Sequence, residues 1–71
     1  MLKGNYMKER KNLLKKLIEE TNHRVLRLSS LVQKDTQNNV SKDLIDKNLK
    51  RIDILGKRVS NYMRELESIK E

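Results

Sequence analysis

An apolar residue recurs at every seventh position along the second half of the chain, in two rows that lie three residues apart. The two rows are Ile45, Ile52, Val59, Leu66 and Asn48, Leu55, Tyr62, Ile69. The first half carries a looser copy, formed by Met7, Leu14, Thr21 and Leu28 and flanked by Leu17, Ile18, Val25, Leu31 and Val32. Two such rows place the apolar side chains on one stripe of an α-helix that faces a partner helix. The pattern therefore predicts an all-α protein.

The polar stretch between the two repeats predicts a loop. Residues 34–39 favour turns over helix, and Asn5 and Ser41 are residue types that cap helix N-termini. Asp43 and Asp46 would complement the helix dipole at the start of the second helix. We expect helices at about 5–33 and 41–69, a loop at about 34–40 and a short frayed leader at 1–4. Residues 5–71 would then form a single helical-hairpin domain.

A loop this short makes the two helices antiparallel, so the sequence also predicts their register. If the turn is centred near residues 37 and 38, residue i lies beside residue 75 − i. Leu31 then meets Leu44, and Leu14 lies near Tyr62. The apolar rows match over several layers, which supports an antiparallel two-helix hairpin.

The apolar stripe is wider than one partner helix covers. Dimerisation into a four-helix bundle, or docking onto another protein, would cover the remainder. The residues expected at this dimer or partner seam are Ile18, Val25, Val32, Leu49, Leu55, Tyr62 and Met63.

Two positions in the second helix depart from the apolar pattern. Asn48 is either a tolerated polar layer or a residue that specifies register and oligomeric state. Gly56 interrupts the helix at about 1 kcal/mol relative to Ala. It either allows close helix approach or is simply tolerated.

Composition excludes several classes of function. The 71 residues include no Cys and a single histidine, His23, which falls opposite the apolar stripe. We therefore expect no metal site, no cofactor and no catalytic centre. The longest apolar runs are two residues, so we expect no membrane insertion and a cytoplasmic location.

The net charge of +7 lies mostly in the first half of the chain. Cations at the start of the first helix oppose the helix dipole, as do the carboxylates near the end of the second. The register pairs these groups, with Lys8 beside Glu67 and Arg10 beside Glu65. Folding thus accounts for this part of the charge.

A second basic group is not explained by folding, because the register brings Arg24 beside Arg51. Arginine favours bidentate contacts with carboxylate or phosphate. This predicted basic strip for partner binding comprises Arg24, Arg27, Lys47, Lys50, Arg51 and Arg58. A solvated face with splayed charges is the alternative interpretation.

In size and two-helix plan the chain resembles the small sporulation-regulating phosphatases that act on aspartyl-phosphate response regulators. The family signature is Ser-Gln-Glu-Leu-Asp in the second helix. The run from Ser41 to Ile45 reads Ser-Lys-Asp-Leu-Ile and lacks the closing Asp, whereas Ile52-Asp53 has only an apolar residue before Asp and no Ser. The resemblance implies an aspartyl-phosphate phosphatase with Asp53 as its key residue.

The sequence thus favours a small non-enzymatic regulatory or adaptor protein that binds another macromolecule through helix faces and the basic strip. A protein partner or a second copy of the chain is expected. Contact of the strip with a phosphate backbone makes nucleic-acid binding one alternative. Dephosphorylation of a response regulator is the other.

Overall fold

The computed structural model describes residues 2–69, and the side chains of residues 6–69, as two α-helices joined by a short turn. Helix α1 spans Leu2–Gln37 and helix α2 spans Lys42–Ser68. The helices pack against each other along their length and form a rod of 57 × 14 × 13 Å. The predicted all-α antiparallel hairpin is confirmed.

Helix α1 is longer at both ends than the sequence predicted. It begins at Leu2, so Asn5 lies inside the helix and residues 2–4 belong to α1 instead of forming a leader. It continues to Gln37, through residues that the sequence placed in the loop. The hydroxyl of Thr36 donates to the carbonyl oxygen of Val32 at 2.8 Å. Such a bond to the carbonyl four residues earlier lets a turn-forming residue remain helical.

The turn is set by the backbone conformation of Asn39. Its φ of 55° lies in the left-handed region, which Asn tolerates better than most residues. The Asn39 N–H donates to the Thr36 carbonyl at 3.4 Å, and the Val40 N–H donates to the Asp35 carbonyl at 3.0 Å. These two bonds form a Schellman motif, in which Asn replaces the usual Gly. Helix α1 is therefore terminated by the left-handed conformation of Asn39, and not by the start of the polar stretch.

Helix α2 begins where the sequence predicted, although the capping contact differs. Ser41 occupies the N-cap position, and its carbonyl accepts from the N–H groups of Leu44 and Ile45 at 3.1 and 3.2 Å. Its hydroxyl makes no capping hydrogen bond. Asp43 lies in the first turn, as expected, whereas Asp46 lies beyond it.

The core between the helices is thin. Leu14 is fully buried, and Val59 and Thr21 each retain 9% of their exposure. We assign heptad position d to the α1 row containing Leu14 and Thr21, and position a to the α2 row containing Val59. The remaining members of the rows are half-buried, including Asn48. The buried contact between the helices is therefore formed by one row from each helix.

Gly56 makes no close approach inside the hairpin. A Cβ atom built at this position meets nothing within 4 Å. Within the hairpin, therefore, the glycine is tolerated and not required for packing.

Neither helix of residues 2–69 has a segment that is long and apolar enough to cross a bilayer.

Candidate arginine-lined docking surface

Four arginines surround one groove of about 430 Å³ between the two helices. Arg24 and Arg27 come from α1, and Arg51 and Arg58 come from α2. The rest of the lining is apolar and consists of Leu28, Ile54 and Leu55, which we call the apolar floor. The groove thus combines three apolar residues with four guanidinium groups.

Heptad phase explains why these residues meet. Arg24, Arg51 and Arg58 occupy position g, Arg27 and Ile54 occupy c, and Leu28 and Leu55 occupy d. In an antiparallel helix pair the g positions of both helices lie along the same edge. We call the surface formed by positions g and c of both helices the arginine face. The surface formed by positions e and b, on the opposite side, is called the neutral face.

An ion pair on the arginine face fixes the register that the sequence predicted. The Nε of Arg10 donates to Oε2 of Glu65 at 2.6 Å, and the Nη2 of Arg10 donates to Oε1 of Glu65 at 3.0 Å. The hydrogen bond from Arg10 lowers the pKa of Glu65 below its ordinary value, and the bond to Glu65 raises the pKa of Arg10. The predicted contact between these residues is confirmed. Lys8 and Glu67, which the same register placed together, form no ion pair among residues 6–69.

The groove arginines lack such partners. Among residues 6–69, none of the four groove arginines takes part in an ion pair like those that join Arg10 to Glu65 and Lys57 to Asp53. Arg24 and Arg51 occupy the same two heptad positions as Arg10 and Glu65, two heptads further along the hairpin. A cation therefore stands where a carboxylate would have completed a second pair. All four arginines are exposed.

The two lysines of the predicted basic strip lie outside the groove. Lys47 and Lys50 are both exposed, but neither is among the lining residues. Lys47 occupies position c, nearer the turn, and Lys50 occupies the outermost position f. The groove thus contains the four arginines of the predicted strip, whereas Lys47 lies on the same side of the hairpin outside the groove, and Lys50 lies off that side.

The predicted seam residues divide between the two sides of the hairpin. Leu55 lines the groove, and Tyr62 follows it in the same d row. The other five belong to positions a and e, on the side of the neutral face; these are Ile18, Val25, Val32, Leu49 and Met63. Leu49 and Met63 are 47% and 48% exposed, whereas the three α1 members are half-buried. The residues of the predicted seam therefore lie on two sides of the hairpin.

Residues that could support catalysis or metal binding are scattered. His23 is exposed, as the sequence predicted. Asp53, the residue singled out by the phosphatase resemblance, pairs with Lys57 at 3.2 Å on the neutral face, away from the groove arginines. Among residues 2–69, no group of His, Asp and Glu side chains is arranged to hold a metal ion.

Sequence reasoning missed one of the three apolar residues that line the groove with the arginines, namely Ile54. Ile54 is 53% exposed and lies at position c, outside the two heptad rows. The signal for it was present, because Ile54 stands three residues after Arg51 and four before Arg58. Residues at that spacing share one face of a helix.

No protein-family model matches the chain, and neither the curated proteins nor the solved structures include a match to it.

Proposed function

We propose that this protein is a non-enzymatic binding module, of the regulatory or adaptor type, that docks on another macromolecule through its arginine face. The observation that carries the proposal is the set of four arginines around an apolar floor, none of which has an ion-pair partner among residues 6–69. The stability of the hairpin does not explain why these four arginines lie together, because like charges that face each other across the hairpin are destabilising. An anionic partner would convert the same arrangement into bidentate contacts.

Charge reversal at the groove tests this proposal. The variant Arg51→Glu/Arg58→Glu and the control Arg64→Glu would be compared with the unchanged protein in affinity capture from the native cell. Arg64 is exposed and lies at position f, about 120° around α2 from Arg58. Partners identified by mass spectrometry should be lost with the groove variant and kept with the control. Equal recovery of every partner by all three proteins would refute a role for the arginine face.

The same arginines suit phosphate groups, so nucleic-acid binding is the second candidate. Its support is the bidentate geometry of guanidinium groups, and the apolar floor counts against it. Binding to a duplex oligonucleotide should then weaken steeply with salt. The logarithm of the binding constant should fall linearly with the logarithm of the salt concentration, with a slope of about −0.9 per phosphate contact. An absence of binding at low salt would exclude it.

We also propose that the chain forms a homodimer through the neutral face, which would give a four-helix bundle. This face exposes Leu49 and Met63 beside the half-buried Ile18 and Val25, and its charges are nearly balanced. Leu49→Glu/Met63→Glu should produce a monomer in sedimentation experiments. A folded monomer at micromolar concentration in the unchanged protein would dismiss the dimer.

A further inference from the structure

We infer that the occupant of the arginine face is an acidic amphipathic helix of another protein, which lies along the groove as a third helix. This inference rests on the proposed function and gives it a partner of stated chemistry. Three features of the face carry it: its apolar length, the spacing of its arginines and its charge.

The arginine face is apolar beyond the groove itself. Five of the eight exposed large hydrophobic residues lie on it, namely Tyr6, Leu13, Leu31, Leu44 and Ile54. Leu31 and Leu44 stand near the turn, and Tyr6 and Leu13 stand towards the opposite end of the rod. Apolar residues distributed along a hairpin in this way fit the apolar stripe of a helix, which docks through side chains spaced three and four residues apart.

The exposed area leaves room for such a helix. The chain exposes 6154 Å², whereas a compact protein of 8.5 kDa exposes about 4,700 Å². The excess of about 1,500 Å² is larger than the roughly 800 Å² that each partner buries in an ordinary interface. A third helix on the arginine face would therefore still leave surface for the proposed dimer on the neutral face.

The arginines define the spacing of the partner's acidic residues. Arg51 and Arg58 are two helical turns apart on α2, about 10 Å along its axis. Arg24 lies across the groove from Arg51 and makes the middle of the site the most basic part. A partner helix with Glu or Asp at positions i, i+4 and i+7 presents carboxylates at this spacing. Each carboxylate would be held by a guanidinium group, as Glu65 is held by Arg10.

The charge of the face excludes a second copy of the same surface. Within residues 6–69 the arginine face carries seven Lys or Arg and two Glu, and one of those glutamates already pairs with Arg10. A two-fold contact would bring arginines against arginines. A phosphate backbone matches the charge but leaves Leu31, Leu44 and Ile54 uncovered. An acidic helix with an apolar stripe satisfies both features.

A designed peptide can test the inference. The probe is a helical peptide of about three heptads, with Leu at its a and d positions and Glu at i, i+4 and i+7 beside that stripe. Two companions replace those glutamates with Gln or with Lys. Titration calorimetry would compare their affinities for the unchanged protein, for Arg51→Glu/Arg58→Glu and for the control Arg64→Glu. Circular dichroism would verify that each variant remains helical, and Arg51→Gln/Arg58→Gln would replace the reversal if it does not.

We expect the Glu peptide to bind the unchanged protein and the Arg64→Glu control, with at least a tenfold loss in affinity for the groove variant. The Gln peptide should bind at least tenfold more weakly than the Glu peptide. The Lys peptide should bind the groove variant better than the unchanged protein, because reversing both charges restores the attraction. Equal affinities of the Glu and Gln peptides, or no binding by either, would overturn the inference.

The result separates this inference from the proposed function. If the peptides fail while a duplex oligonucleotide binds and the groove variant abolishes that binding, the acidic helix is wrong but the arginine face still binds a macromolecule. If the groove variant changes neither peptide binding, oligonucleotide binding nor partner capture, both proposals fail.

Discussion

The arginine face and the neutral face are built on the same two helices, yet they differ in charge. Within residues 6–69 the neutral face carries three lysines and four carboxylates, against seven cations and two carboxylates on the arginine face. Both faces expose large apolar residues, with Leu26, Leu49 and Met63 on the neutral face. Both faces flank the same seven-residue repeat, and this repeat determines the hairpin. The residues at positions g and c, and at positions e and b, determine the charge of each face.

The balanced surface suits the proposed contact between two copies of the chain, whereas the charged surface suits the proposed contact with another molecule. Isologous contact requires a surface that tolerates itself, which favours the neutral face. An unbalanced surface requires a complement, which favours a different molecule. Changes to the shared core should affect both faces, and changes at the flanking positions should affect one.

The largest effect should come from the core on which both faces depend. Leu14→Ala removes the fully buried side chain of the hairpin and should cost about 2–5 kcal/mol of unfolding free energy. Urea or thermal denaturation followed by circular dichroism would measure the loss. Leu26→Ala is the matched control in α1, because Leu26 is 64% exposed. Equal destabilisation by the two substitutions would contradict the assignment of the core.

Gly56→Ala, on the neutral face, should stabilise the protein, in contrast to the destabilising Leu14→Ala. The added Cβ meets nothing within 4 Å, and Ala exceeds Gly in helix propensity, so the unfolding free energy should rise by about 0.5–1 kcal/mol. Denaturation at a concentration where the chain is monomeric would measure this gain. If two copies approach closely at Gly56, the same substitution should also weaken dimerisation in sedimentation experiments. A loss of monomer stability would show that the glycine is needed within the hairpin.

The hairpin and its register could be predicted because the heptad spacing and the matched opposite charges can both be read directly from the sequence. Arg10 and Glu65 form a hydrogen-bonded ion pair, as expected from the register that places residue i beside residue 75 − i. The end of α1 was not predictable in the same way, since it depends on the left-handed conformation of Asn39 and not on polar composition. Ile54 was overlooked because it lies outside both rows, although its spacing from Arg51 and Arg58 indicated a common face.

A smaller effect should follow from converting the arginine face to the pattern of the Arg10–Glu65 pair. Arg51→Glu places a carboxylate opposite Arg24 and should raise the unfolding free energy by about 0.2–1 kcal/mol, while it weakens binding of an anionic partner. Denaturation of the single variants and of Arg24→Glu/Arg51→Glu forms a double-mutant cycle. The gain should vanish in the double variant, which again has like charges. A gain that persists there would come from a source other than the pair.

The smallest effect should be the pH dependence of the Arg10–Glu65 pair. Because its pKa in the folded protein lies below the ordinary 4.5, Glu65 contributes stability at pH values above 4.5. That contribution is lost as the pH falls through the lowered pKa and the carboxylate becomes protonated. Glu65→Gln should therefore lower the melting temperature at pH 7 and make no difference at pH values well below the lowered pKa of Glu65. Glu67→Gln is the control, since Glu67 is exposed and forms no ion pair among residues 6–69.

Because the Arg10–Glu65 pair is itself about two-fifths exposed, added salt should also reduce the difference in melting temperature at pH 7, as acid does. A difference that persists unchanged in acid would mean that Glu65 acts through packing. The Arg10–Glu65 pair would then no longer be an example of a carboxylate held by charge on the arginine face.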